Sequence, residues 1–359
     1  MKHAGSMGDG GVTARLCSIK TLLGLVAGAG ASYGIYKLMW GSGDKAVMAP
    51  QQEGSREGGV RGAEVPEQGP SQRDPAGSAM LQPGSLLAKV SGLALLNGND
   101  RGDLSTSSGP LEPHHIKKLL SLLQTDACAS DRVQVLVTLG NAAAFSVNQD
   151  LIRELDGLHI IAGLLSDPLP EIRVQTLNVL NNLSMNVRNQ EHLKLYVSHV
   201  LDLIEMSPVN SELQLACLRL LTNLSVTNCH QHLMRNSVTL FLSLLVVSNE
   251  PLQTQVSKVL VNLSANPDMI EDIMQAQAPA SLVLLFDSNT HPGVLLRLLT
   301  FVRNLKGWRF LDQTVASHRG KDSVYHILLA EGSPLHARLP QLLTHPDAEI
   351  KAQVACLLT

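Results

Sequence analysis

Asn141, Asn182, Asn223 and Asn262 recur at spacings of 41, 41 and 39 residues, and Asn304 follows 42 residues later. A carboxamide carries two donors and an acceptor, so an asparagine repeated along a groove can hold the main chain of an extended peptide whatever its side chains. The same group can cap or bridge adjacent helices by satisfying backbone atoms at their ends. Both roles fit these four residues. One helical turn earlier stand Val137, Asn178, Arg219, Lys258 and Thr300. A groove built for lysine stems would carry tryptophan there, for cation–π contact, and none is present. Arg219 and Lys258 instead put positive charge near that face, which suits an acidic peptide, or they are solvated surface residues.

Other reactive groupings are sparse. Cys229-His230-Gln231-His232 is the densest set of soft ligands; a surface zinc site is one reading and a solvent-exposed turn the other. Adjacent His114 and His115 would project about 100° apart on a helix and should not share a metal. The five cysteines are odd in number and lack CxxC spacing, which reads as reduced thiols. No HExxH, P-loop or nucleophile elbow occurs, so neither catalysis, a metal nor a cofactor is expected. With 28 Lys+Arg against 31 Asp+Glu, there is no bulk attraction to nucleic acid.

The elements that must position the asparagines are helices. Leu139-Gly140-Asn141-Ala142-Ala143, Leu180-Asn181-Asn182-Leu183-Ser184, Leu221-Thr222-Asn223-Leu224-Ser225, Leu260-Val261-Asn262-Leu263-Ser264 and Val302-Arg303-Asn304-Leu305-Lys306 are registers of one motif. Prolines at Pro168, Pro208, Pro251 and Pro292 precede the later ones, at first-turn or pre-helix positions. Apolar residues between them, such as Ile172, Val174, Leu177, Leu180 and Leu183, follow helical spacing. A period near 41 residues with this content indicates armadillo or HEAT units, each burying its apolar face only against its neighbours. The predicted fold is all-α: a right-handed armadillo-like α-solenoid over 111–359, with about five full units and a terminal fragment. Residues 307–336 exceed the period and read as an irregular insertion. Aromatics at 3% argue against an all-β alternative.

Upstream, sixteen uncharged residues from Thr21 to Tyr36 lie between Lys20 and Lys37. They span about 24 Å, which reaches across a bilayer if the lysines snorkel and Leu38 to Trp40 extend the segment. Residues 16–40 are therefore read as an uncleaved transmembrane anchor, after a tail at 1–15. Tyr33, Tyr36 and Trp40 suit one interface, and the pairs Gly24/Gly28 and Gly30/Gly34 permit a weak homo-oligomer through GxxxG contacts. A cleaved signal peptide fits less well, because the thiols look unpaired and the Asn-Leu-Ser sequons lie inside helical patterns. Gly28 to Gly34 brushes a dinucleotide fingerprint, but no βαβ unit surrounds it. Residues 41–110, rich in Gly, Pro, Ser, Gln and Glu, read as a disordered tether with an end-to-end distance of about 45 Å. Within it, Leu86 to Leu96 is either a transient helix or a short amphipathic segment that docks on the solenoid or a partner.

The run from Leu139 to Gly157, the Asn-Leu-Ser motifs, and Gly28-Ala29-Gly30-Ala31-Ser32-Tyr33-Gly34-Ile35-Tyr36-Lys37 together resemble the mitochondrial armadillo repeat-containing proteins, a group with X-linked members. The resemblance covers the anchor and residues 111–359, and the tether does not match. It implies a signal-anchored protein of the mitochondrial outer membrane, shared with the endoplasmic reticulum, its bulk facing the cytosol. It further implies a scaffold that binds protein partners through its groove, among them the Miro and kinesin-adaptor trafficking machinery, and that influences mitochondrial distribution and dynamics and cell growth and survival. The alternative is a soluble or endoplasmic-reticulum-associated regulator of a signalling or transcription factor, using the same groove.

Overall fold

Long helices, all but the last carrying the repeated asparagine motif near their ends, stack on one another in chain order. They are α2 (Ala129–Ala142), α5 (Pro170–Leu183), α8 (Glu212–Leu224), α11 (Glu250–Ser264), α13 (Pro292–Trp308) and α15 (Ala348–Leu358), and each packs against the next. This computed structural model describes residues 111–125, 127–308 and 319–358. The anchor and tether expected over 16–40 and 41–110, with Lys20, Gly24, Gly28, Gly30, Gly34, Tyr36, Lys37 and Trp40, lie outside the described residues. Among the described residues no helix is long and apolar enough to cross a membrane.

Shorter helices complete each unit. They are α1 (Pro113–Leu123), α3 (Ser146–Glu154), α4 (Gly157–Gly163), α6 (Val187–Leu193), α7 (Val197–Met206), α9 (Asn228–Gln231), α10 (Val238–Val247), α12 (Ile270–Gln275) and α14 (Pro334–Arg338), several continued by 3-10 turns. Helix α1 buries Ile116, Leu119, Leu120 and Leu123, the spacing of a one-sided helix with no unit before it among the described residues. Helix α8 is covered on several sides and buries Leu213, Ala216, Cys217, Leu218, Leu220, Leu221 and Leu224. Its composition is correspondingly apolar around most of the cylinder. Leucine, valine and alanine fill these joints, which accounts for the low aromatic content.

Local signals set the boundaries. Ser211 and Asn249 accept from the backbone N–H of Gln214 and Leu252, capping α8 and α11. Pro251 and Pro292 sit in first turns, whereas Pro168 and Pro208 lie in the preceding loops and α5 opens at Pro170. After each of the long helices α2, α5, α8 and α11 the chain turns through one extended residue, Phe145, Asn186, Thr227 or Asn266, and the next unit begins.

The irregular stretch expected at 307–336 is a detour. Beyond α13 the chain returns so that Ala278 N–H donates to Asp322 O at 2.9 Å and Val324 N–H to Ala276 O at 2.9 Å. A π-type turn at Tyr325–Leu329 follows, then α14. The terminal fragment is a real layer: α15 packs on α13, with Lys306 Nζ donating to Leu357 O at 2.8 Å.

Candidate functional site

Near the end of each long helix from α5 to α13, the asparagine side chain reaches back to the preceding long helix. Asn182 Nδ2 donates to Gly140 O at 3.0 Å. Asn223 Nδ2 donates to Ser184 Oγ at 2.9 Å and lies 3.1 Å from both the main-chain and side-chain oxygens of Asn181. Asn262 Nδ2 reaches Ser225 Oγ at 2.9 Å and Thr222 O at 3.3 Å, and Asn304 Nδ2 reaches Ser264 Oγ at 3.0 Å. Asn141 has no earlier long helix to meet among the described residues and is exposed.

The serine of each Asn-Leu-Ser has its reason in the same contacts. Ser184, Ser225 and Ser264 are fully buried, and their hydroxyls donate to Asn181 O, Thr222 O and Val261 O at 2.6, 2.8 and 2.9 Å. Each hydroxyl thus satisfies a carbonyl three residues back while its lone pair accepts the next unit's amide. The first motif ends in Ala143, with no hydroxyl, and Asn182 turns to Gly140 O instead. The amide hydrogens are therefore drawn into the joints. No hydrogen bond among the described residues ends on Oδ1 of Asn182, Asn223 or Asn262, and these side chains are half-buried. Any bond to a bound main chain would be accepted by that oxygen.

A second ladder runs beside the first. Gln149 Nε2 donates to Ala143 O at 2.8 Å and Asn182 O at 3.1 Å; Gln190 Nε2 to Ser184 O at 2.8 Å and Asn223 O at 3.4 Å; Gln231 Nε2 to Ser225 O at 2.6 Å and Asn262 O at 3.2 Å. One amide thereby ties the ends of two successive long helices, whose last carbonyls have no intrahelical partner. Asn148 and Asn189 add bonds to Ala142 O and Leu183 O at 2.9 and 3.1 Å. Sequence reasoning passed over this ladder. Its signal was the dipeptide Asn-Gln repeated at 148 and 189, one period apart. The register stops in the next unit, where the position eight residues beyond Asn262 is the apolar Ile270.

Arg219 and Lys258, which share a register, differ in setting. Arg219 is exposed on α8, while Lys258 on α11 is only 7% exposed. Val137 at the same register is 40% exposed, and no tryptophan stands there. Between the second and third short-helix layers, Asp150 Oδ1 accepts from Arg153 at 2.6 Å and from Asn186 Nδ2 at 2.9 Å, and Arg153 also donates to Asn189 Oδ1. Those donors hold the Asp150 carboxyl below the ordinary aspartate range, Arg153 foremost.

The histidine groupings differ from their sequence reading. His114 and His115 do not diverge: their rings lie 3.9 Å apart in the first turn of α1, and with Glu112 their ligand atoms fall within 4.8 Å of one another. First-turn side chains are not held by a preceding turn, so they swing together. His230 and Gln231 are buried, at 0% and 1% exposure, and only Cys229 and His232 face solvent. The solvent-exposed turn is thus corrected to a short helix turned inward. His230 Nε2 lies 3.0 Å from Glu191 Oε1, whose other oxygen accepts from Lys194 Nζ at 2.7 Å. Lys194 first, then His230, draws the Glu191 carboxyl below its ordinary range. None of the described cysteines forms a disulfide, and burial pushes the Cys217 thiol up to about 12, far from thiolate at neutral pH.

A family model described as Armadillo-like matches residues 111–329. Solved structures of similar fold include a crystal structure of computationally designed armadillo repeat proteins for modular peptide recognition, with TM-score 0.57, 16% identity, 68% of this chain covered and 98% of that one. A designed armadillo repeat protein in complex with a (KR)4 peptide matches with TM-score 0.56 and 15% identity over the same shares. An engineered protein matches with TM-score 0.55 and 19% identity over 68% of this chain, which spans 57% of that protein's length. At these identities the likeness is one of fold.

Proposed function

We propose a function from one premise: the chain belongs to the armadillo-like family. Its solenoid is a non-catalytic scaffold that binds an extended segment of a partner protein along the stacked long helices. The observation that carries this reading is the row of Asn182, Asn223 and Asn262 Oδ1 atoms, half-buried and unclaimed by the joints that consume their amide hydrogens. Such a row accepts main-chain N–H groups at intervals of one unit, and exposed Arg219 beside it favours acidic side chains on the bound segment.

The uncharged run between Lys20 and Lys37 and its likeness to mitochondrial signal anchors support a scaffold tethered at the mitochondrial outer membrane, with its solenoid in the cytosol. There it would engage trafficking machinery of the Miro and kinesin-adaptor kind and influence mitochondrial distribution and dynamics, with an effect on growth and survival. Proximity labelling with the full chain and with residues 16–40 deleted tests this. Outer-membrane neighbours lost on deletion, together with carbonate-resistant membrane association of the full chain, support it. A full chain that fractionates as soluble overturns the tether and leaves the soluble regulator. Unchanged partner binding after Arg219→Glu counts against the groove face.

A further inference from the structure

In the second and third units the residue before the ladder glutamine is an asparagine, Asn148 or Asn189, whose amide donates to the carbonyl six residues earlier. In the fourth unit that register holds His230, fully buried, and its ring makes no such bond. Its Nδ1 has no partner, and its Nε2 is directed across the joint at Glu191 of α6, 3.0 Å from Oε1. Cys229 Sγ approaches the same oxygen at 3.9 Å, and the ligand atoms of Glu191, Cys229 and His230 all lie within 4.8 Å of one another.

We propose that Glu191, Cys229 and His230 form a binding site for one zinc-type divalent cation that straps the joint between two successive units. Zinc–ligand lengths of about 2.0–2.3 Å at tetrahedral angles put neighbouring ligand atoms about 3.3–3.6 Å apart. The separations of 3.0 and 3.9 Å bracket that range, so closure needs only side-chain adjustment, and two of the three donors are exposed and free to make it. A thiolate, a carboxylate and an imidazole neutralise a dication and match the donor preferences of zinc, with a fourth position left to water. Lys194 holds the second Glu191 oxygen and thereby orients the first. The missing Nδ1 partner sets the strength: a ligating histidine without one binds roughly 10- to 100-fold more weakly, so the site is a reversible strap and not a permanent structural zinc. No spacing motif announces it, because Glu191 is a full unit away in sequence from the other two.

The test is Co2+ titration of the full-length, metal-free chain, read by the thiolate-to-cobalt charge-transfer band and followed by Zn2+ displacement. One equivalent should give the band, and Cys229→Ser should remove it. Glu191→Gln and His230→Asn should weaken binding roughly 10-fold or more. His230→Asn installs the residue that the two earlier units carry, so its circular dichroism and metal-free melting should match the parent. The Glu112, His114 and His115 cluster contains no thiol and cannot produce the band. No band in the parent, a band that survives Cys229→Ser, or His230→Asn binding as tightly as the parent would each overturn the site.

Discussion

Ser184 Oγ accepts from Asn223 Nδ2 at 2.9 Å across a joint whose two sides lie 39 residues apart in the chain. The same pairing recurs between Ser225 and Asn262 and between Ser264 and Asn304, so the motif is a joint written in two parts, half on each unit. Replacing Ser225 by alanine removes the acceptor from Asn262 and leaves Thr222 O with a weaker set of donors. The expected cost is about 1–3 kcal/mol, read by urea denaturation. In a double-mutant cycle with Asn262→Ala the pair should couple by about 0.5–3 kcal/mol. Strict additivity would show that the two side chains do not share the joint.

Gln190 ties Ser184 O to Asn223 O and also accepts from Thr227 Oγ1 at 2.6 Å. Leucine at this position fills similar space but leaves both carbonyls short of a donor, at roughly 1–3 kcal/mol each. Stability in stacked repeats is close to a sum of unit and neighbour terms, so the damage should concentrate at one joint. Hydrogen exchange should accelerate most at the ends of α5 and α8. A uniform acceleration from α2 to α15 would contradict a local joint.

The period, the helical units and the asparagine register were all legible in the sequence, because apolar spacing and Asn-Leu-Ser repeat visibly. Which partner each amide takes was not: a carboxamide has the same two donors whether it faces a groove or a neighbouring helix, and only the 42-residue contact to Gly140 tells them apart for Asn182. The glutamines hid for a different reason. Gln149, Gln190 and Gln231 sit in short helices of mixed polarity, where a buried glutamine and a solvated one read alike until the carbonyls above them are known. Lys258 was misleading in the same way, since its stem is enclosed by α11 and its neighbours while its letter suggests a surface.

Gly157 opens α4 immediately after Asp156, which adopts φ 57°. A Cβ added at Gly157 would lie 2.8 Å from Ile152 Cγ2, 2.8 Å from Ile152 O and 2.9 Å from Leu120 Cδ1, closer than packed atoms allow. Gly157→Ala should destabilise by about 1–3 kcal/mol through overpacking. Gly163, at the other end of the same helix, meets nothing within 4 Å, and there alanine should stabilise by roughly 0.5–1 kcal/mol. Thermal melts of the two variants should therefore shift in opposite directions, and a shift of the same sign would refute the packing account.

Asp150 supplies the pH dependence of the second joint. Arg153 and Asn186 bond its carboxylate, and Arg188 adds a favourable charge, so its pKa is lower in the folded chain than in the unfolded one. A depressed carboxyl binds fewer protons when folded, so its contribution is fully present above the unfolded value, about 4, and is lost as pH falls through the folded value. Asparagine at this position cannot ionise. The stability difference between the parent and Asp150→Asn should accordingly be constant around neutrality and shrink as the solution is acidified below pH of about 4. The side chain is 44% exposed, so solvent screens the pair and 1 M salt should diminish the difference at pH 7 as well. A difference that grows on acidification would mean that Asp150 is held in its neutral form, which the donors around it do not permit.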